Sequence, residues 1–432
     1  MALERRLGSL TTVCVGLGVA IGSGIFRTPG LVATHLPSET LIICAWLVGG
    51  LFAVSSSLVT AELATRCPRA GGEYVYLREA YGDGVAFVFG WGYTVFIAGG
   101  GVGVIAAALG ESISPWLGWN RPELMAAASV LVLAGVNALG IMAGAVLQNV
   151  LGVLKVAGLV GLAVLGLLTG TSSNSAAPVL EAGPLGAAFL AAMPAVLWSY
   201  DGSSDSAKLA EEIKDVRRTL PIALVASAGL LTAIYLIFNL ACLFVLGSSE
   251  LSRSTFPAED LAEQLLGPLG RPVLSALVAV TLAGALCSSL LSTSRVTFAL
   301  ARDGLAPARL AKVSSSQAPV PALALITLLA VTFTQLRGFR EGIGVYFVAS
   351  SILFGLSYAS LLVFRRRDRV ANGSAPGVFV CPQGPALAVG LILLQLAVAA
   401  GIAWADPVGA GVTLLMLGLA VVAYRVFARH PR

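Results

Sequence analysis

Twelve stretches of this 432-residue chain are long, apolar and almost free of charge. They lie near residues 9–34, 40–65, 84–110, 123–139, 145–169, 186–206, 220–247, 272–301, 320–336, 342–364, 384–404 and 408–428. A helix needs about 20 mostly apolar residues to cross a hydrocarbon layer roughly 30 Å thick. Backbone groups in lipid must be satisfied within their own segment, so runs of this length are read as helices. The short alternating segments of a transmembrane β-barrel are absent from the sequence. Charged residues make up 11% of the chain, against about 25% in a soluble domain. So few charges exclude a soluble enzyme, a nucleic-acid binder and a disordered chain. The expected fold is therefore an all-α integral membrane protein with about twelve transmembrane helices.

The basic residues test that count. With the N-terminus placed inside, 19 of the 27 Lys and Arg fall in inner loops, 5 in outer loops and three within runs. The inner set includes Arg66, Arg69, Arg78, Lys208, Arg302, Arg365, Arg366, Arg367, Arg429 and Arg432; the outer set is Arg121, Arg253, Arg271, Arg337 and Arg340. Such a bias sets orientation and predicts cytoplasmic N- and C-termini in the cell (plasma or inner) membrane. The net charge of +5 is explained by this bias without an acidic partner or nucleic acid. The first run continues into sequence of the same kind and is read as part of the mature chain.

The six cysteines are scattered, no CxxC occurs, and the two histidines are His35 and His430. No metal site, disulfide framework or cofactor is expected from them. A phosphate-binding Gly-x-x-x-x-Gly-Lys motif is missing too, so direct ATP coupling is not expected. With no histidine inside the runs and the acidic residues scattered, neither an intramembrane enzyme nor a charged channel ring is readable.

Two runs are interrupted. The first contains Gly22-Ser23-Gly24 and then Pro29-Gly30; the sixth contains Ser199-Tyr200-Asp201-Gly202-Ser203-Ser204-Asp205. Glycine and small polar residues favour unwinding over continued helix. The breaks are five runs apart, so 1–170 and 186–365 read as two related halves, with 384–428 as two additional helices. Five is odd, so the halves enter the membrane from opposite sides. Matching breaks in inverted halves point to a transporter's binding site. One half-helix offers unpaired N–H groups, which attract a carboxylate, and another offers unpaired C=O groups, which attract an ammonium. A zwitterionic amino acid carries both charges.

Ordered motifs extend this reading. They are Ile21-Gly22-Ser23-Gly24-Ile25-Phe26; Ala61-Glu62-Leu63 followed by Gly71-Gly72-Glu73-Tyr74; Tyr200-Asp201-Gly202 with Glu211-Glu212 and Leu220-Pro221; Tyr235 with Asn239; and Ser294-Arg295 with Ala301-Arg302-Asp303-Gly304. Together they resemble the amino acid–polyamine–organocation superfamily, most of all its L-type amino acid transporter branch. The resemblance covers about 300 residues, from the first run to the eighth. It implies a 5+5 inverted repeat of LeuT type, with discontinuous helices 1 and 6 and two further C-terminal helices.

By position, the resemblance implies that backbone around Gly22, Ser23, Gly24 and Ile25 holds the substrate carboxylate. Carbonyls near Ile21, Trp198 and Ser199 hold the amine, and Tyr200 and Gly202 shape the second break. Trp198 stands where relatives have an aromatic gate, usually Phe, and Ser203 stands where the L-type branch often has Trp. Tyr235 is placed to bond the carboxylate. Lys155 sits mid-run, where a charge costs a few kcal/mol and calls for a partner or a function. It resembles the fifth-helix Lys of sodium-independent relatives, where the ammonium takes the place of a sodium ion. It reads either as a fixed charge or as a proton carrier. Ser288 and Ser289 lie near the eighth-helix hydroxyl ligands of sodium-coupled relatives, within reach of Lys155.

Secondary candidates have simpler explanations. Asp201 reads as an N-cap, or as a carboxylate for a cationic side chain, a role open to Asp205 too. Arg27 reads as a snorkelling outer residue. Glu62 reads as the ion-pair partner of inner arginines such as Arg66, and Arg365-Arg366-Arg367 as an anchor on anionic lipid. The function expected is secondary-active permeation or exchange of L-amino acids, neutral ones first, by alternating access without sodium. A proton-coupled symporter and a cationic amino acid or polyamine antiporter are the alternatives. Animal L-type relatives join a partner glycoprotein through a loop cysteine. The loop from Glu111 to Pro122 has none, so no covalently linked heavy chain is expected.

Overall fold

A computed structural model describes residues 3–36, 38–118, 121–171, 185–336, 339–371, 373 and 376–428. Arg337, Arg429, His430 and Arg432, and most of the stretch between the two proposed halves, lie outside the described residues. Sixteen α-helices run in chain order among these residues. They are α1 (Ser9–Ala20), α2 (Gly24–His35), α3 (Glu39–Arg66), α4 (Glu73–Tyr81), α5 (Asp83–Gly92), α6 (Val102–Ile113), α7 (Pro122–Ala138) and α8 (Ile141–Thr169). Then come α9 (Leu185–Tyr200), α10 (Val216–Arg253), α11 (Pro257–Leu266), α12 (Gly270–Arg302), α13 (Val320–Leu336), α14 (Phe339–Val370), α15 (Gly384–Ala405) and α16 (Pro407–Ala428).

Each of the twelve apolar runs coincides with helix, but their lengths differ. Eight helical segments are long and apolar enough to cross a membrane, nine when the bent pair α1 and α2 counts as one. Helices α7 and α13 have 17 residues and α9 has 16. At 1.5 Å per residue the described lengths of these three fall short of the roughly 30 Å hydrocarbon layer, so helix length supports nine spans among the described residues. The third run holds a π-helical stretch, Tyr93–Gly101, between α5 and α6. Its Gly99-Gly100-Gly101 end lets the helix widen into i→i+5 turns, and such bulges gather at functional sites.

The helices are placed by ordinary signals. The Ser38 side chain accepts the Leu41 N–H at 3.3 Å and caps α3. Arg66 closes the same helix near its negative end, where a cation is favoured. Helix α12 is buried on every side from Gly284 to Ala301 and runs through the centre of the bundle. Around it pack α1, α6, α7, α8 and α13, and α10 packs against α1, α3 and α8. Helices α15 and α16 expose many Leu and Val side chains, as lipid-facing helices do.

The basic end of the bundle is tied by ion pairs. Glu62 receives Arg66 and Arg365, both at 2.7 Å, and Arg66 also reaches Asp368 at 2.6 Å. Asp303 receives Arg69 at 2.8 Å and Arg78 at 3.0 Å. The expected pairing of Glu62 with Arg66 is present. Two of the three arginines assigned to lipid contact bond protein instead: Arg365 binds Glu62, and Arg367 donates to the carbonyls of Glu79 and Ala80. Arg366 is exposed.

Candidate functional site

The first break separates α1 from α2, whose axes differ by 46°. Three residues, Ile21 to Ser23, carry the bend. The carbonyls at the end of α1 are answered by side chains from distant helices. Lys155 Nζ, fully buried on α8, donates to the carbonyls of Gly18 at 2.7 Å and Ile21 at 3.1 Å. Tyr235 Oη, from α10, donates to the Ala20 carbonyl at 3.0 Å. The facing end of α2 differs. Its N-cap, Ser23, makes no side-chain cap and the first turn holds no acidic residue. The first N–H groups of any helix lack partners within it, so this positive end is suited to an anion.

The second break follows α9. Trp198 C=O accepts the Asp201 N–H at 3.3 Å, and Asp201 caps the Gly202 N–H at 2.9 Å, before a 3-10 segment from Asp205 to Glu212. Gly202 has φ +87°, and a Cβ there would fall 2.3 Å from Val19 Cγ1. A Cβ on Gly24 would fall 3.1 Å from both Trp198 Cδ1 and Ser199 Oγ. The two breaks therefore touch through glycine at both points, and larger residues would push them apart.

One cavity opens between them. The sequence candidates Gly22, Ser23, Gly24, Trp198, Asp201, Gly202, Asp205 and Ser289 line it, together with Lys208, Tyr93, Thr293 and Phe354. Other candidates support it from behind. Ile21 and Ile25 are fully buried. Ser199 Oγ shares a hydrogen bond with Thr28 Oγ1 at 2.8 Å, joining α9 to α2. Tyr200 Oη donates to the Trp46 carbonyl at 3.0 Å, and its ring borders a second, polar cavity. Tyr235 reaches the break through Ala20. Ser288 Oγ lies against Gly18, where a Cβ would fall 2.3 Å away, and has no hydrogen-bond partner among the described residues. Arg27 faces Glu111 at 3.7 Å and the Phe256 ring at 5.3 Å.

Lys208 was not singled out from the sequence, because its segment reads as an inner loop. It is buried, 1% exposed, and pairs with Asp205 three residues earlier. The i, i+3 spacing of Asp and Lys was the available signal. Behind it, Glu212 holds buried Arg295 at 2.9 Å. Glu211 accepts the N–H groups of Ala70 at 3.0 Å and Leu3 at 3.1 Å, and Arg302 at 2.8 Å. Burial alone would raise the Glu211 carboxyl, but these bonds from Ala70, Arg302 and Leu3 outweigh it and hold the group below the usual carboxylate range.

The chain is similar to named transporters over most of its length. It is 28% identical over 384 residues to the b(0,+)-type amino acid transporter 1 of Mus musculus, covering 85% of this chain and 78% of the relative. It is 29% identical over 307 residues to the serine/threonine exchanger SteT of Bacillus subtilis, covering 69% and 68%. An uncharacterised transporter of Mycobacterium tuberculosis is 29% identical over 362 residues, covering 83% and 80%. The profile of the family described as amino acid permease matches residues 7–423, from just ahead of α1 into the last helix. With broken helices enclosing a cavity inside a bundle of apolar helices, the chain belongs to the amino acid permease family.

Proposed function

We propose that the protein is a sodium-independent exchanger of neutral L-amino acids that works by alternating access. The observation that carries this reading is Lys155 Nζ on the Gly18 and Ile21 carbonyls. Carbonyls at a broken helix end are suited to a cation, and here the Lys155 ammonium takes that place. The substrate carboxylate meets the uncapped start of α2, and its ammonium meets the carbonyls around Trp198 and Ser199. Trp198, at the cavity wall, is the gate. Residues 1–170 and 186–365 act as the two halves that rock about the touching breaks, and 384–428 stands outside them. The protein resides in the cell membrane with both termini cytoplasmic, works without a covalently linked heavy chain and catalyses no reaction. The named relatives, one an exchanger by name, favour exchange.

Neutral cargo is favoured over cationic cargo by the fate of Asp205. Its charge is answered within the protein by Lys208 and by the Ser292 hydroxyl at 2.7 Å. Uptake of labelled amino acids into proteoliposomes tests the reading. Uptake that needs internal amino acid and ignores sodium and proton gradients is expected. A sodium requirement would sink the Lys155 argument, and uptake of arginine or lysine alone would move the cargo to the cationic class.

A further inference from the structure

Glu73, Asp205 and Lys208 form a second buried charge cluster, apart from Lys155. The start of α4 lies directly on Lys208. Gly71 N–H donates to the Lys208 carbonyl at 3.1 Å, and a Cβ on Gly72 would fall 2.8 Å from Lys208 Cγ. The Lys208 ammonium pairs with Asp205 Oδ1, while Ser292 holds Asp205 Oδ2. Glu73 is 7% exposed, and its Oε2 has no hydrogen-bond partner among the described residues. Asp205 borders both cavities, Lys208 the one at the breaks and Glu73 the second, polar one. Ser56, Thr60, Tyr358 and Gln395 complete the polar wall.

Two carboxylates and one ammonium leave one negative charge in excess. The surrounding groups do not cancel it. Asp201 faces the cluster from the second break, and Tyr76 from α4 itself. Tyr93 lies beside it from the π-helical stretch, its ring 5.1 Å from Lys208 Nζ, and Tyr358 faces it from α14. From α12 comes the neutral Ser292, while Arg295 on that helix is taken by Glu212. An unpaired buried charge is strongly unfavourable. Burial holds the Glu73 carboxyl above the ordinary carboxylate range; Lys208 opposes this and Asp205 adds to it.

We infer that Glu73 is a proton-binding site, where the Glu73–Asp205–Lys208 cluster takes up one proton behind the substrate cavity. A metal ion is disfavoured because Lys208 already supplies the cation that pairs with Asp205. A cationic cargo is disfavoured because Lys208 lines the cavity at the breaks and Glu73 does not. Its bearing on transport rests on the carrier reading above: the proton sets the net charge of the cluster against which the segment joining the second break to α10 packs.

Infrared difference titration of the full-length purified protein tests the site without transport. A carboxyl that gains its proton above the ordinary carboxylate range is expected in the wild type and absent from Glu73→Gln. Asp205→Asn removes a neighbouring negative charge, so the same titration moves down by about 1–3 pH units. An identical titration in Glu73→Gln and wild type, or no downward move in Asp205→Asn, overturns the proposal. If Glu73→Gln does not fold, the Asp205→Asn result decides alone. Exchange measured across the same pH range follows the wild-type midpoint and loses that dependence in Glu73→Gln; an unchanged profile overturns the link to transport. A wild type that moves no amino acid at any pH would remove the carrier reading, while the titration still decides the site.

Discussion

The two buried lysines solve the same problem in opposite ways. Lys155 and Lys208 are 0% and 1% exposed. The ammonium of Lys155 is held by two neutral carbonyls at the end of α1. Those carbonyls carry the negative end of a helix dipole, equivalent to roughly half a charge. Lys208 is held by a full carboxylate, with a second carboxylate close behind. A broken helix can thus stand in for a counter-ion. It offers negative potential from peptide dipoles, so what the Lys155 ammonium meets is set by backbone geometry. What the Lys208 ammonium meets is set by side-chain carboxylates.

Substitutions sharpen this contrast. Lys208→Met leaves Asp205 and Glu73 buried without their cation, and breaking a buried pair in this way costs about 3–5 kcal/mol. A large fall in the thermal unfolding midpoint of the purified protein is expected. A fall no greater than that of an exposed-pair variant would erase the distinction between the two lysines. Lys155→Ala removes hydrogen bonds from a charged donor, each worth about 1.5–3 kcal/mol. Its expected mark is functional: amino acid exchange drops at least tenfold, because the end of α1 loses what holds its bend. Exchange at the wild-type rate in Lys155→Ala would make that lysine a packing residue.

The smallest effect is expected at Glu211, which serves as a reference with ordinary charge pairing. Its folded carboxyl sits below the usual value, with burial opposing and the Ala70, Arg302 and Leu3 bonds prevailing. A lowered carboxyl stabilises the fold above the unfolded value, about 4.3, and loses that contribution as pH falls through the folded value. Unfolding midpoints of wild type and Glu211→Gln should therefore differ at pH 7 and converge as pH falls through the folded value of Glu211, below the unfolded one. A gap that persists in acid would assign the effect to lost packing.

Where a residue broke the local pattern, the sequence was readable. Gly22-Ser23-Gly24 interrupts an apolar run, and Lys155 is a lone charge in another, so both stood out. Burial of either is expensive enough to demand a reason, and the structure places them together. Lys208 broke no pattern. Its neighbours Asp205, Ser206, Glu211 and Glu212 look like a solvated loop, yet the segment folds back into the bundle. Arg365 was equally opaque, since its partner Glu62 lies 303 residues away in the chain. The π-helical stretch from Tyr93 left only a glycine triplet as its trace. Tyr235 reads as a partner for the substrate carboxylate; its hydroxyl also finishes the hydrogen bonding of α1 at Ala20, a contact that needs three dimensions to see. Among the described residues, three apolar helices are shorter than a membrane is thick, so length alone does not count all twelve runs as spans.

The segment ahead of α1 has a practical bearing on how the protein is handled. Leu3 and Leu7 are buried, the N–H groups of Arg6 and Leu7 both reach the Glu212 carbonyl at 2.9 Å, and Leu7 pairs with Ile213 as a short parallel bridge. This places the first residues against the far end of the segment that carries Asp205 and Lys208. A purification tag or fluorescent fusion joined ahead of Leu3 pulls on that segment. One joined beyond α16, whose side chains are mostly exposed, does not. Rates and pH profiles are best compared on C-terminally tagged protein, with an N-terminally tagged version as a deliberate perturbation.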